Sequence, residues 1–403
     1  MKKLFAILLM LVAMSANAQW VQMSNGTGNV TYIYDFASSG IYLFTLTESN
    51  GVFRSSDNGA NWVAVNNGLP LVNNRSIIAK GTSIFVSSTT GGVYRSTNNG
   101  DNWTAVISGL TKLNVLYFCV SGTNIFAGTG GPRGSIFRST NDGTSWNEVF
   151  ILPTDGTVSH FTTKGTNLFA AASFFLSSKI YISSNNGLNW SAAPGSLTLI
   201  SSIIGNEPNL FIGTYQGVSI STNSGTNWSS CGLQQFDIYD FAVSGSRLFA
   251  GTDTGGVYLS TNNGTNWITK NQGFIGIPGV VKLFIYNNYI FAGGLYVWRR
   301  SLSEIIGIQS ISTETPSKYS LSQNYPNPFN PITKIKFALQ KSSNVNITVY
   351  DMIGKEIEVL VNEQLREGTY QTEWNGNSFS SGVYFYKISA GDFTETRKML
   401  LVK

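Results

Sequence analysis

Ser55-Ser56-Asp57-Asn58-Gly59-Ala60-Asn61-Trp62 is the stretch that decides the fold, because the chain repeats its form five more times. The later copies run from Ser96 to Trp103, Ser139 to Trp146, Ser183 to Trp190, Ser221 to Trp228 and Ser260 to Trp267. Each reads Ser, any, Asp or Asn, any, Gly, any, any, Trp. Successive tryptophans lie 38 to 44 residues apart. A period near forty that carries short apolar runs, Gly-rich turns and no helical pattern marks a stack or ring of small β-sheets.

The residue types are those of a hairpin turn. An Asx side chain at the third position (Asp57, Asn98, Asn141, Asn185, Asn223, Asn262) can fold its oxygen onto the following backbone N–H groups. Glycine at the fifth (Gly59, Gly100, Gly143, Gly187, Gly225, Gly264) tolerates the positive φ of a tight turn. The leading serine, Ser55 in the first copy, can cap the loop. The tryptophan (Trp62, Trp103, Trp146, Trp190, Trp228, Trp267) opens the outgoing strand and buries a large aromatic surface. The pattern resembles the Asp-box, or bacterial neuraminidase repeat, of sialidases, sortilin-type receptors, some xyloglucan hydrolases and the photosystem II assembly propeller. Only Asp57 is an aspartate here, and the five asparagines keep the hydrogen bond while dropping the charge, which fits a structural turn.

Two further strands keep their place in every repeat. One carries Leu43-Phe44, Ile84-Phe85, Ile125-Phe126, Leu168-Phe169, Leu210-Phe211, Leu248-Phe249 and Ile290-Phe291. The other leads into the turn, as in Val52-Phe53-Arg54, and both appear seven times against six turns. The missing exit strand lies at the other end of the chain, where Gln19-Trp20-Val21-Gln22-Met23-Ser24-Asn25-Gly26 mimics Asn61-Trp62-Val63-Ala64-Val65-Asn66-Asn67-Gly68. An N-terminal strand that completes the last sheet closes a ring and hides both edges. The expected fold is all-β: a seven-bladed β-propeller followed by a small immunoglobulin-like β-sandwich.

Residues 1–18 read as a signal peptide, with Lys2-Lys3, an apolar run from Leu4 to Val12 and Ala16-Asn17-Ala18 as the cleavage site. No later stretch is apolar enough for a membrane span. Between residues 19 and 315 there are 14 Lys plus Arg against 13 Asp plus Glu with no basic cluster, so no nucleic-acid footprint. Cys119 and Cys231 sit on separate repeats and read as lone thiols.

The propeller is expected over 19–302 and a linker over 303–318. A second domain over 319–403 opens with Asn324-Tyr325-Pro326-Asn327-Pro328-Phe329-Asn330-Pro331 and continues as short alternating strands. That opening resembles the C-terminal sorting domain of type IX secretion, type A. So do Tyr350-Asp351-Met352-Ile353-Gly354-Lys355-Glu356, the strand with Gly382, Val383 and Tyr384, and the terminal run with Lys398, Met399, Leu400 and Val402. The resemblance implies an address read by outer-membrane secretion machinery, in a bacterium with two membranes, and a product released or held at the cell surface.

No catalytic set, cofactor site or metal site is expected. His160 is the sole histidine, which rules out a multi-His metal centre. Arg54, Arg95 and Arg138 occupy one position in consecutive repeats, just before the turn, and so do not read as the sialidase triad. Asp35, Glu48, Asp155, Asp237, Asp240 and Asp253 read as solvated loop carboxylates. Aligning the seven Phe anchors places Asp35, Ser76, Tyr117, His160, Ser202, Asp240 and Lys282 at one position of the innermost strand. Asp35, Tyr117, His160, Asp240 and Lys282 are the candidate ligand ring. The expected function is a secreted or cell-surface binding module for a glycan or protein. The rival is a secreted glycan-active hydrolase.

Overall fold

The computed structural model describes residues 19–403 apart from 29–31, 72, 196, 246, 306–307, 313 and 377–378. The expected signal peptide therefore lies outside the described residues. Between Val21 and Ser301 the chain forms seven four-stranded antiparallel sheets. We number them as blades 1 to 7 by their innermost strands: Ile33–Ser39, Asn74–Lys80, Val115–Ser121, Thr157–Lys164, Ile200–Asn206, Ile238–Ser244 and Lys282–Tyr286. Each inner strand packs beside the next, and that of blade 7 returns to that of blade 1, so the sheets close a ring. The second strands carry Phe44, Phe85, Phe126, Phe169, Phe211, Phe249 and Phe291, all with no exposed surface, wedged between neighbouring blades.

The repeated turn uses each of its recurring residues for a hydrogen bond or a backbone conformation. In blade 1, Ser55 Oγ donates to Asp57 Oδ1 at 2.7 Å and accepts from Gly59 N at 2.8 Å, while Asp57 Oδ1 also accepts from Asn61 N at 2.9 Å. Asn141 repeats this with Ser139, Gly143 and Ser145 in blade 3. Gly59 sits at φ 82°, and Asn58 before it is also left-handed at φ 56°. Asn serves as well as Asp because the bonds that fix the turn, from the serine hydroxyl and the backbone N–H four residues on, need only one side-chain oxygen.

Tryptophan then ties blade to blade. Trp62 Nε1 donates to Met23 O, Trp103 Nε1 to Val65 O and Trp146 Nε1 to Val106 O, in each case the carbonyl three residues beyond the preceding tryptophan. Trp267 does the same to Cys231 O. Trp190 and Trp228 instead bond Gly187 O and Gly225 O of their own turns. Val21–Gln22 pairs with Val297–Ser301 and completes blade 7. Gly26 follows that strand at φ 91° because a Cβ there would run into the carbonyl of Trp62.

Two sheets form the second domain. One takes Gln309–Ser312, Gly368–Asn375, Ile332–Leu339 and Ser320–Leu321 in that order, the other Glu356–Leu365, Ser343–Tyr350, Gly382–Ala390 and Phe393–Leu401. Ile335, Phe337, Ile347, Val349, Trp374, Tyr386, Ile388 and Met399 fill the space between them. The expected linker over 303–318 is the main difference. Leu302–Ile305 is a short helix, Ile308 is buried in the sandwich core, and Gln309–Ser312 is an edge strand bonded to Gly368–Asn375. Only the stretch after it connects without pairing. The alternation of Ile308, Ile311 and the serines is too short to read as a strand without its partner in view.

Candidate functional site at the channel mouth

Seven inner strands surround a central channel, and a local fault in each ladder sets what faces it. In blades 1 to 6 the register slips at the ring position, between Ile33 and Asp35, Asn74 and Ile77, Val115 and Tyr117, Val158 and His160, Ile200 and Ser202, and Ile238 and Asp240. A β-bulge inserts one residue and re-aims a side chain. The alignment position is thus a bulge position, and the ring residues line one cavity of about 750 Å³.

Three of the five candidate residues are engaged with one another. Lys282 Nζ lies 3.2 Å from Asp35 Oδ1 and 3.4 Å from Asp240 Oδ2. Asp35 also accepts from Phe36 N, Ser76 Oγ and Ile77 N, each at 2.9 Å. Asp240 accepts from Leu283 N at 3.0 Å and Ser202 Oγ at 3.3 Å. Both aspartates thus take the amide that follows the ring position of the next blade, and Lys282 spans from blade 7 to blades 6 and 1. The expected solvated carboxylates are, at Asp35 and Asp240, nearly buried. Burial pushes the Asp240 carboxyl up, opposed by the charge of Lys282. The lysine is held well above its ordinary value by the two carboxylates, against the effect of its own burial.

Across the channel, the rings of Tyr117 and His160 meet at 4.4 Å with a 40° tilt. Confinement, and then the charge of Lys282, push the imidazole down to about 3, so it is neutral and Nδ1 has no protein partner. A neutral imidazole stacked on a phenol, with no carboxylate against it, offers no general base poised near neutral pH.

Above this floor stands a wall that the sequence reading passed over. Tyr34 and Arg75 lie one residue before the ring position in blades 1 and 2, and Tyr239 in blade 6; Tyr32 and Tyr215 complete the lining. Tyr34 donates to Glu48 Oε1 at 2.9 Å, Arg75 lies 5.0 Å over its ring, and Tyr32 meets it edge-on at 5.8 Å. Reading the residue next to each ring position would have found three of the five. Directly after Ser173, which lines the cavity, the turn Phe174–Ser177 projects Phe175 and Leu176, which are 92% and 78% exposed.

The arginines before the repeated turn point elsewhere. Arg54, Arg95 and Arg299 donate to Asn99 O, Asp142 O and Asn58 O of the neighbouring turn, and so bind adjacent blades together. Arg138 donates to Asn124 Oδ1. Asp237 and Asp253 face each other through backbone amides, Asp237 N to Asp253 Oδ1 at 3.2 Å. Cys119 and Cys231 are free thiols, both pushed up to about 12 by burial. Among the described residues no group of three His, Cys, Asp or Glu could hold a metal ion, and no helix is long and apolar enough to cross a membrane.

With this geometry in place, the comparisons define the class. Residues 323–403 match the secretion system C-terminal sorting domain, and residues 29–174 match the DUF6242 beta propeller domain. The chain is a β-propeller protein that carries a type IX secretion sorting domain, and that domain marks it for export and for contact with the secretion machinery. YCF48 from Cyanidioschyzon merolae has a similar fold, with TM-score 0.55 and 16% identity over 71% of this chain and 99% of that one. A structure of YCF48 bound to D1 peptide gives 0.57 and 13%, over 71% and 95%. The extracellular domain of the putative hybrid two-component system BT4673 from B. thetaiotaomicron gives 0.55 and 12%, over 96% and 59%. At such identities the likeness is one of fold. No curated protein matches this chain in sequence.

Proposed function

We propose that the propeller is a non-catalytic binding module, exported through its sorting domain, that takes a polypeptide segment of a partner at the mouth of its channel. The observation that carries this reading is a division of labour in the cavity. The charged groups on the floor, Asp35, Asp240 and Lys282, are spent on one another and on backbone amides. Tyr215 and Tyr239 line the same cavity with no charged group of the floor bonded to them, and the Phe175–Leu176 tip is exposed. Tyrosine and phenylalanine are the side chains that supply contact area at protein interfaces, and a propeller of the same fold has been solved with a peptide. A glycosidase would need two carboxylates free to act as acid and as nucleophile or base. Here an ammonium lies between them.

The test is a screen of immobilised peptides and of bacterial and plant polysaccharides against the mature protein. Peptide binding weakened at least about tenfold by Tyr117→Ala or Tyr239→Ala, and kept by Asn141→Ala, supports the reading; tenfold corresponds to about 1.4 kcal/mol. Binding confined to glycans would change the ligand class. Polysaccharide turnover abolished by Asp240→Asn would replace the binding module with a hydrolase.

A further inference from the structure

The junction between propeller and sandwich holds more than a connector needs. Leaving blade 7, the chain buries Leu302 and Ile305 among the apolar residues around Trp20 and Trp298. Three residues later Ile308 is in the core of the sandwich with Phe337 and Tyr370. Gln309–Ser312 then adds to the sandwich as an edge strand, Gln309 opposite Gln371 and Ser310 opposite Tyr370. The first exposed, unpaired stretch after that strand is Glu314–Lys318.

A second contact is made from blade 6. Arg247 opens the second strand of that blade, where the other blades have Tyr42, Ser83, Asn124, Asn167, Asn209 and Tyr289. Only 1% of it is exposed, and it donates to Leu360 O at 2.6 Å. Beside it, Thr261 Oγ1 donates to Glu358 Oε1 at 3.4 Å, and the other oxygen of Glu358 accepts from Trp374 Nε1 at 3.1 Å. Gly245 allows the close approach, since a Cβ there would stand 2.6 Å from Asn362 O. A buried guanidinium and a half-buried carboxylate are costly to separate once packed, because each would lose partners that replace water.

We infer that the sorting domain is bound to the propeller non-covalently, by strand 309–312 and the Arg247 contact, so that a cut within Glu314–Lys318 does not release it. After such a cut the propeller fragment keeps Arg247, Thr261, Ile308 and the edge strand. The sandwich fragment keeps Leu360, Glu358 and the strand Gly368–Asn375 that receives it. Losing the partner would bare a long strand edge on the sandwich. The two fragments are complementary halves of one interface, and export would deliver them together even where the connector is nicked.

To test this, a specific protease recognition sequence is inserted after Ser317 in the full mature chain, the chain is cut, and the product is run on a sizing column without denaturant. Co-elution of both fragments at the position of the uncut protein is expected; separate elution overturns the inference. In the same cut protein, Arg247→Ala combined with Ser310→Pro, which removes a ladder N–H, is expected to free at least about half of the sandwich fragment. Undiminished co-elution of that variant would show that these contacts are not what holds the domains, and would overturn the assignment.

Discussion

Trp20 Nε1 donates to Lys270 O at 2.6 Å, the relation that Trp62 has to Met23 O one blade further on. Trp20 N also donates to Gln272 O, as Trp62 N does to Asn25 O. The first described strand is therefore a full member of the repeat although the sequence before it carries no copy of the turn motif. Trp20 is 2% exposed and stacks on Phe274 at 4.8 Å. Trp20→Ala is expected to cost about 3–5 kcal/mol, the range for emptying a large aromatic site. Removing residues 19–26 also unpairs Val297–Ser301 and should cost more. Denaturant titration of both variants checks this, and midpoints equal to that of the parent would refute closure by this strand.

Lys282 bridges the closing blade to both its neighbours, and its loss should be felt in stability before binding. Breaking a buried ion pair costs about 3–5 kcal/mol. The lysine side chain keeps 30% of its surface toward the channel, so about 2 kcal/mol is expected for Lys282→Met. Its raised pKa means that this contribution is fully present below the ordinary lysine value and is lost only in strong alkali. The deficit of the variant should shrink as pH falls from about 7 toward 4, because burial already raises the Asp240 carboxyl and protonation relieves it once its counter-charge is gone. A deficit that does not change with pH would show that Asp240 does not depend on the ammonium.

His160 gives the opposite dependence. Its folded pKa, pushed down to about 3 from an ordinary 6.5, means that the folded chain declines a proton which the unfolded chain accepts. The stability tied to the neutral ring is complete above 6.5 and drains as pH falls toward 3, at no more than about 1.4 kcal/mol per pH unit. His160→Gln should therefore lose less stability than the parent between pH 6.5 and 4. Parallel pH curves for the two proteins would place the imidazole in a wetter setting than the channel floor.

How much of this was legible depends on how local the chemistry is. The repeated turns are written within eight residues, and the exit strand of Trp20 was found because its eight residues copy Asn61 to Gly68. The ring was found by alignment, yet not its bonding. Asp35, Asp240 and Lys282 lie in blades that meet only when the ring closes, and nothing in their own neighbourhoods says so. The strand 309–312 was missed for the same reason, since its partner Gly368–Asn375 decides it. Arg247 was legible in principle as the one arginine at the start of a second strand, a position held elsewhere by Tyr, Ser and Asn.

The sorting domain can be removed in two ways, and the junction distinguishes them. Deleting Tyr319–Lys403 leaves Ile308 and strand 309–312 without their partners, whereas ending the chain after Ile305 removes both. Both truncations should abolish export, since each lacks the sorting domain. The shorter one should give the more soluble propeller, because it leaves no unpaired edge. Fractionation of cells that make the two proteins reads both outcomes, and either truncation reaching the medium at the parent level would refute the sorting role.

Asn141 separates the turns from the channel. Its side-chain oxygen accepts from Ser139 Oγ and Ser145 N at 3.0 Å each, and its amide donates to Ser145 Oγ at 2.9 Å. These bonds lie at the rim of one hairpin, so Asn141→Ala should cost about 0.5–1.5 kcal/mol, one turn hydrogen bond's net worth. Asn141→Asp should cost less, because Asp57 Oδ1 accepts the same serine and backbone bonds in blade 1. Neither should change the affinity of whatever peptide the channel mouth takes. Tyr117→Ala should do the reverse, since Tyr117 packs on His160 in the cavity and has no role in the turns. Thermal melts and binding titrations on all three variants decide the matter. A change in affinity on Asn141→Ala as large as that on Tyr117→Ala would move the ligand to the turn face.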